Sequence, residues 1–537
     1  MSTLTGTGAM IRLALRRDRI LLPVWVYGLT ALVVGTAESF ARLYPTVASR
    51  RQFATGIGSN PAVRAIYGHG FDLTSVGGLT AWRIGGSGAV LVALMSLLVV
   101  TRHTRAEEET GRLELLGATV VGRHAGLAAA VAVAVGADLA IGVLTGLGLV
   151  GLGLSAAGSF ALGLSFGAAG MVFAAVAAVT AQLTGSARAA NGIAAGALGA
   201  AYLLRAVGDA AGPGGPSWLS WLSPVGWIEQ SRAFAGERWW VFGPVAALVA
   251  VCLGGSAALA GRRDTGAGLF AERPGPAGGA PRLAGPFALA WRLHRGTLAG
   301  WSIGFAVLGV LLGSIASGIG DLVDGSPQVE RAVARLGGQG GGSGDIVDAY
   351  LAESIGVAGL IAAAYAIQAA LRLRAEETAQ RAEPVLATPV GRIRWACGHL
   401  LFAGAGSAVP LLAVGLGAGV AHGLRTGDLG TQVPRLAGAA LVQLPAVWVL
   451  AGIAVAAFGL VPQATVAGWA ALAACVLVGQ LGPVLRLDQW ALDVSPFTHL
   501  PKLPGGTVAA APVLVLVGLA AALVLAGLVG LRRRDVG

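Results

Sequence analysis

The chain has 537 residues, 55% of them hydrophobic and only 12% charged, with a mean hydropathy of +0.74 and a formal net charge of +11. A soluble domain carries about 25% charged residues, so this composition excludes one and requires a protein built into a bilayer. The positive charge is not a nucleic-acid footprint, because the arginines flank apolar runs instead of forming a stripe with interleaved aromatics.

Other counts exclude further classes. Cys252, Cys397 and Cys475 each stand alone in an apolar run, so there is no disulfide framework and no paired-cysteine metal motif. The only lysine is Lys502. A phosphate-binding P-loop needs Gly-Lys-Ser/Thr to reach the β- and γ-phosphates, so any ATP this protein uses is bound by another polypeptide. Regular strand-length alternation is lacking, which sets aside an outer-membrane barrel. The 85 glycines, with Ala, Leu and Val, suit helices that pack closely through small side chains.

In chain order, residues 1–19 place Arg12, Arg16, Arg17 and Arg19 among apolar residues and predict a basic amphipathic helix on the membrane surface. No small-residue cleavage site follows at the spacing of a signal peptide, which favours an uncleaved first span. Span 1 is expected over 20–39, then a polar loop of about 40 residues with Asn60-Pro61, then span 2 over 83–101. A charged stretch follows. Spans 3 (124–150), 4 (158–183) and 5 (189–207) lead to a loop, 208–240, that holds Trp218, Trp221, Trp227, Trp239 and Trp240. Such a cluster belongs at a membrane–water interface. Span 6 (241–260) ends at Arg262-Arg263-Asp264.

The pattern then restarts. Residues 265–286 are rich in Gly and Pro and read as a linker. Arg292, Arg295, Trp301 and Gly304 repeat Arg16, Arg19, Trp25 and Gly28 at an offset of 276. Spans 7 (296–317) and 8 (352–371) enclose an acidic loop with Asp321, Asp324, Asp345 and Asp348, and spans 9 to 12 follow at 394–421, 436–459, 464–483 and 509–530. Ser495-Pro496 echoes Ser223-Pro224, and Arg533-Arg534-Asp535 echoes Arg262-Arg263-Asp264. The expected organisation is a first half over 1–264, a linker over 265–286 and a second half over 287–537. Together they make an all-α integral membrane protein of about 12 transmembrane helices in two pseudo-symmetric six-helix halves. The arginines place both termini, the linker and the charged stretches on the cytoplasmic side of the cell membrane.

The charged stretch is itself duplicated. Arg105-Ala-Glu-Glu-Glu-Thr-Gly-Arg-Leu-Glu-Leu-Leu-Gly-Ala-Thr-Val-Val-Gly-Arg123 returns, at an offset of 269 and without a gap, as Arg374-Ala-Glu-Glu-Thr-Ala-Gln-Arg-Ala-Glu-Pro-Val-Leu-Ala-Thr-Pro-Val-Gly-Arg392, with 11 of 19 positions identical. The spacing puts Glu108 with Arg112, and Glu377 with Arg381, at i,i+4 on a helix. Anchoring in a membrane needs only arginine. The matched acids Glu107, Glu114, Glu376 and Glu383 point instead to a partner surface read by both halves.

The remaining polar features carry less. Leu336-Gly-Gly-Gln-Gly-Gly-Gly-Ser-Gly344 lacks a lysine and a preceding strand, and reads as a hinge. Asp138 is an acid inside a span, expected to pair with a polar neighbour, and position 407 of the second half holds Ser. The seven histidines show no metal-ligand spacing, so no metal site is expected, and no nucleophile–base constellation stands out.

The duplicated motif resembles the first cytoplasmic helix-loop of ABC exporter permeases of the actinobacterial antibiotic and polyketide exporter type, in which Arg-x-Glu-Glu-x-x-Gly-Arg-x-Glu-x-Leu-x-Ala-Thr-Pro-Val-Gly-Arg recurs. The first copy has Val120 for the usual Pro; the second has Gln380 for Gly, and a Pro384 that should shorten its helix. The resemblance implies a type V-like exporter fold, each half one permease unit, and a chain that is not itself an enzyme. It implies two copies of a cytoplasmic ABC ATPase as partners, with ATP and Mg on those subunits and no cofactor here. Arg105, Glu107, Glu108, Arg112, Glu114, Gly122 and Arg123, and Arg374, Glu376, Glu377, Arg381, Glu383, Gly391 and Arg392, would seat on them, with Ser186 and Arg188 as a second contact. ATP-driven closure would switch a cavity between the halves, built by spans 1, 2 and 5 of each, with Trp25, Tyr27 and Met95 as apolar contacts to a hydrophobic or amphipathic drug or lipid-like cargo. Two other classes stay open: a proton-coupled 12-span drug transporter, which would need intramembrane acids, and a membrane scaffold that uses its aromatic loops for binding.

Overall fold

A computed structural model describes the chain except residues 1, 58–60, 113–118, 212–214, 265, 271–277, 282, 284, 325–342, 486–487, 507–508 and 535–537. Among the described residues no strand occurs, and twelve helices are long and apolar enough to cross a membrane. With no water in the hydrocarbon, every backbone N–H and C=O must be satisfied within its own segment, and helices do this. The chain divides into two units, Met1–Gly275 and Pro276–Gly537, with the division inside the Gly/Pro-rich stretch.

In the first unit, spans 1 to 6 are Leu21–Leu43, Val76–His103, Ala125–Gly151, Ala156–Leu183, Ala187–Ala210 and Phe242–Ala260. Span 4 is the hub and packs against spans 2, 3, 5 and 6. Close approach explains how. A Cβ on Gly163 of span 4 would lie 2.1 Å from the Gly142 carbonyl oxygen of span 3, so those backbones touch directly. In the second unit, spans 7 to 9 are Pro286–Asp324, Ser343–Ala370 and Arg392–Thr426. Span 10 is broken into Leu429–Leu441 and Leu444–Leu460, and spans 11 and 12 are Ala467–Leu485 and Ala510–Arg533. Span 10 packs on span 12 through Gly459 and Gly527, where a Cβ on Gly459 would meet the Gly527 oxygen at 1.9 Å. The pairings of spans 1 with 3, 2 with 4 and 4 with 6 recur as 7 with 9, 8 with 10 and 10 with 12.

Three expectations change. The polar loop after span 1 contains two short helices, Val47–Ile57 and Pro61–Tyr67, and span 2 starts seven residues early. Its start is fixed at Ser75, whose hydroxyl accepts the Gly78 N–H at 2.9 Å and caps the helix. The basic lead helix, Thr7–Arg17, separates from span 1 at Asp18, a fully buried carboxylate held 2.6 Å from His103 Nε2. The matching position, at the offset of 276, is His294, and there lead helix and span 7 run on as one helix from Pro286. Without a buried anion to hold by a break, the helix continues. The Gly-rich stretch 336–342 and Glu114 lie outside the described residues.

Candidate functional site

Span 2 ends at His103, and the motif begins one residue on with a short helix, Arg105–Glu109. Its first residue turns inward. The fully buried Arg105 guanidinium donates from Nε to the Ala181 carbonyl (3.2 Å), from Nη2 to the Ala267 carbonyl (3.0 Å) and from Nη1 to Glu108 Oε2 (2.5 Å). Glu108 is clamped from the other side by Arg263, whose Nη2 and Nη1 reach its two oxygens at 2.6 and 2.8 Å. Arg263 also donates from Nε to Gln182 Oε1 at 2.7 Å. Glu107 pairs with Arg17 of the lead helix. Charges taken this far out of water persist only when paired and hydrogen-bonded, which these are.

The second copy is built by the same logic. Arg534 donates from Nη1 and Nη2 to the two oxygens of Glu377 at 2.7 and 2.9 Å. Arg372 and Arg381 hold Glu376, at 2.7 and 2.9 Å, and Arg374 lies 3.6 Å from Glu377. The first segment is thus braced to the tail of span 6, and the second to the tail of span 12.

These partners correct the helical pairing read from the sequence. Arg112 lies 3.9 Å from Glu107 rather than pairing with Glu108, and Arg381 holds Glu376 rather than Glu377. The reason is a break in each helix. Gly111 (φ 70°) and Gln380 (φ 55°) occupy matched positions in the left-handed region, so the arginine after each turns back by one residue. Pro384 is not the cause: it sits in the first turn of a separate helix, Ala382–Leu386, where its missing N–H has no helical partner to lose.

Of the other predicted residues, Arg123 is exposed yet tied to the Ala260 and Arg263 carbonyls at 3.1 and 2.9 Å, and Arg392 donates to the Arg534 carbonyl at 2.5 Å. Gly122 donates its N–H to the Thr5 carbonyl at 2.8 Å, whereas Gly391 is exposed. Ser186 caps span 5 by accepting the Ala189 N–H at 3.2 Å, beside the exposed Arg188, and Glu109 Oε1 accepts the Ala187 N–H at 2.8 Å. Glu383 is exposed, as are the segment tips Thr119-Val120 and Thr388-Pro389. The predicted cargo contacts scatter: Met95 is sealed in the core of the first unit, Trp25 is half-buried against that core, and Tyr27 is 66% exposed.

Sequence reasoning gave no role to Arg17, Arg263 and Arg534. The signal was present for the last two in the repeated Arg-Arg-Asp that closes each half. Asp138 is buried and accepts the Ser96 hydroxyl at 2.5 Å, the polar pairing expected.

At the other end of span 2, about 40 Å away at 1.5 Å per residue, the fold assembles a second charged cluster. His69, Asp209 and Glu229 meet around the buried Arg205. The absence of metal-ligand spacing among the histidines could not reveal this cluster, because its three residues come from separate elements. Burial pushes the Glu229 carboxyl up to about 7 against the pull of Arg205, and the Asp209 carboxylate raises the His69 imidazole above its usual value.

The chain is similar to one relative over its whole length and to one family over each half. The family described as multidrug efflux system permease Rv1217c, C-terminal domain, matches residues 8–262 and again 283–532, so both halves fit one description. The multidrug efflux system permease protein Rv1217c of Mycobacterium tuberculosis is 44% identical over 536 residues, covering 100% of this chain and 96% of that protein. With twelve membrane-crossing helices, a braced motif repeated in each unit and this match across both halves, the chain is a multi-pass membrane protein that belongs to the multidrug efflux system permease Rv1217c family.

Proposed function

We propose that this chain is the membrane permease of an ATP-driven exporter, moving hydrophobic or amphipathic small molecules out of the cell by alternating access, with the ATPase on separate cytoplasmic subunits. It catalyses no reaction itself; ATP and Mg belong to two copies of the partner. It sits in the cytoplasmic membrane with both termini inside. The relative's name supports drugs as the cargo, and the absence of any Gly-Lys-Ser/Thr motif sends ATP elsewhere.

The observation that carries the reading is the pair of braces, Glu108–Arg263 and Glu377–Arg534. Each fastens the base of a charged segment to the tail of its unit's last span and leaves the tip exposed. A partner that pushes on the tip therefore moves helices, because packed helices shift as rigid elements and do not deform continuously. The carboxylates serve as the fastening, and the exposed Arg112, Arg188, Glu383, Val120 and Pro389 are what a partner touches.

The alternative is proton-coupled transport, which Asp138 alone would have to serve, since its matched position holds Ser407. The test is to extract the tagged chain gently and identify what accompanies it, then measure efflux with ATP or the proton gradient removed. A soluble ATPase at two copies per chain, with efflux lost on ATP depletion, is expected. A lone chain whose efflux survives ATP depletion and collapses with the gradient would overturn the proposal.

A further inference from the structure

His69, Asp209 and Glu229 present one imidazole and two carboxylates whose donor atoms all lie within 4.8 Å of one another. His69 Nδ1 and Asp209 Oδ1 are 3.4 Å apart. That is the edge of a tetrahedron whose centre-to-ligand bonds are about 2.1 Å, the length of zinc–nitrogen and zinc–oxygen bonds. Asp209 Oδ2 accepts no hydrogen bond, although Asp209 is only 2% exposed. Arg205 Nη1 stands 3.4 Å from Asp209 Oδ2, close enough to share charge but not aligned to donate. Asp209 Oδ2 therefore keeps a lone pair free for a ligand.

The surroundings are those of a ligand set held in place. Ser220 donates its hydroxyl to Asp209 Oδ1 at 2.6 Å, Arg205 Nη1 donates to Glu229 Oε2 at 3.2 Å, and the His69 backbone N–H donates to Glu229 Oε1 at 2.6 Å. Gly68 lets Glu229 this close, since a Cβ there would lie 1.7 Å from Oε1. Arg205 is itself locked by the Ala65 and Ile66 carbonyls at 2.8 and 3.1 Å. Arg205 Nη1 faces both carboxylates, 3.4 Å from Asp209 and 3.2 Å from Glu229. The adjoining cavity, lined by His69 and Glu229 with Tyr67, Trp82 and Ser231, offers about 40 Å³. That volume admits an ion and its water but no drug-sized molecule.

We propose that His69, Asp209 and Glu229 bind a divalent transition-metal cation, Zn²⁺ by donor chemistry, that clips the segment after Pro61–Tyr67 and the short helix Pro224–Glu229 to the end of span 5. The site belongs to the first half alone. Carrying the Ser223-to-Ser495 register, an offset of 272, across the second half puts Leu477, Leu481 and Pro501 where Arg205, Asp209 and Glu229 stand. An interaction confined to one half makes the two ends of a duplicated protein inequivalent, independently of how transport is powered.

The test uses the full chain in detergent or nanodiscs, stripped with EDTA and titrated with ZnCl₂, with bound metal counted by mass spectrometry and Co²⁺ used as a spectroscopic stand-in. One Zn²⁺ per chain, tetrahedral Co²⁺ absorption and a rise in melting temperature on Zn²⁺ addition are expected. His69→Ala and Asp209→Asn should abolish the stoichiometric binding. Ser220→Ala, which leaves all three ligands in place, should weaken it about 10–100-fold. No binding by the folded wild-type chain would overturn the proposal. So would one Zn²⁺ per chain retained in His69→Ala, or octahedral Co²⁺ spectra unchanged by Ser220→Ala.

Discussion

At the scale of single residues, the braces are where the charge balance is most exposed to test. Glu108 answers to two guanidiniums, Arg105 and Arg263, and all three are nearly out of solvent. Removing one partner of a buried pair costs about 3–5 kcal/mol, and Arg263→Ala should fall at the low end, about 3, because Arg105 remains. Arg112→Ala, half exposed and 3.9 Å from its carboxylate, should change stability by less than about 0.5 kcal/mol. Thermal melts of the two purified variants decide this; equal melting temperatures would refute the brace. A second prediction concerns backbone. Gln380 holds the left-handed conformation that Gly111 supplies at the matched position. The conformation costs a residue with a Cβ about 1–2 kcal/mol, so Gln380→Gly should stabilise the chain by about 1 kcal/mol and Gly111→Ala should destabilise it by a similar amount, read in the same melts.

At the scale of elements, all twelve spans were legible because an apolar run of about 20 residues has one stable answer in a bilayer. The ends were not, because a terminus is decided by contacts and caps. Ser75 starts span 2 by its hydroxyl, and Asp18 ends the lead helix because His103, distant in the chain, holds its carboxylate. The helices Val47–Ile57 and Pro61–Tyr67 are too short to announce themselves by periodicity and depend on tertiary packing. The duplicated segment was legible as a motif, yet its partners were not, since Glu108 and Arg263 lie at opposite ends of a run of four spans. The two copies also differ in what covers them. A Cβ on Gly122 would lie 2.3 Å from the Thr3 carbonyl oxygen, whereas one on Gly391 meets nothing within 4 Å. Gly122→Ala should therefore release the N-terminal residues, seen as faster proteolysis and faster hydrogen exchange over residues 2–6, while Gly391→Ala leaves the chain unchanged. Identical behaviour of the two variants would show that the run of contacts from Thr3 to Thr5 does not hold the first segment.

At the scale of the whole molecule, duplication sets a symmetric expectation that the residues then break. Both segments are fastened at the base by an arginine of the closing Arg-Arg-Asp. Their surroundings have diverged: Asp18 against His294, Gly111 against Gln380, Asp138 against Ser407, and a His69–Asp209–Glu229 cluster whose matched positions in the second half hold other residues. If a partner subunit docks on each segment, only the tips, and not their supports, have to stay equivalent. Val120 and Pro389 stand at matched positions, at the offset of 269, and both are exposed. The measurement replaces Cys252, Cys397 and Cys475 with Ser, because Cys397 is exposed, and introduces Val120→Cys or Pro389→Cys singly. If two ATPase subunits dock, one on each tip, maleimide labelling of both positions should slow at least several-fold in the complex and recover when the ATPase is stripped. Protection at one position only would assign the docked subunit to that half and make the second segment a fixed support. Labelling unaffected at both would remove the tips from the transport cycle, because a partner that drives helices through a braced lever has to touch the lever's free end.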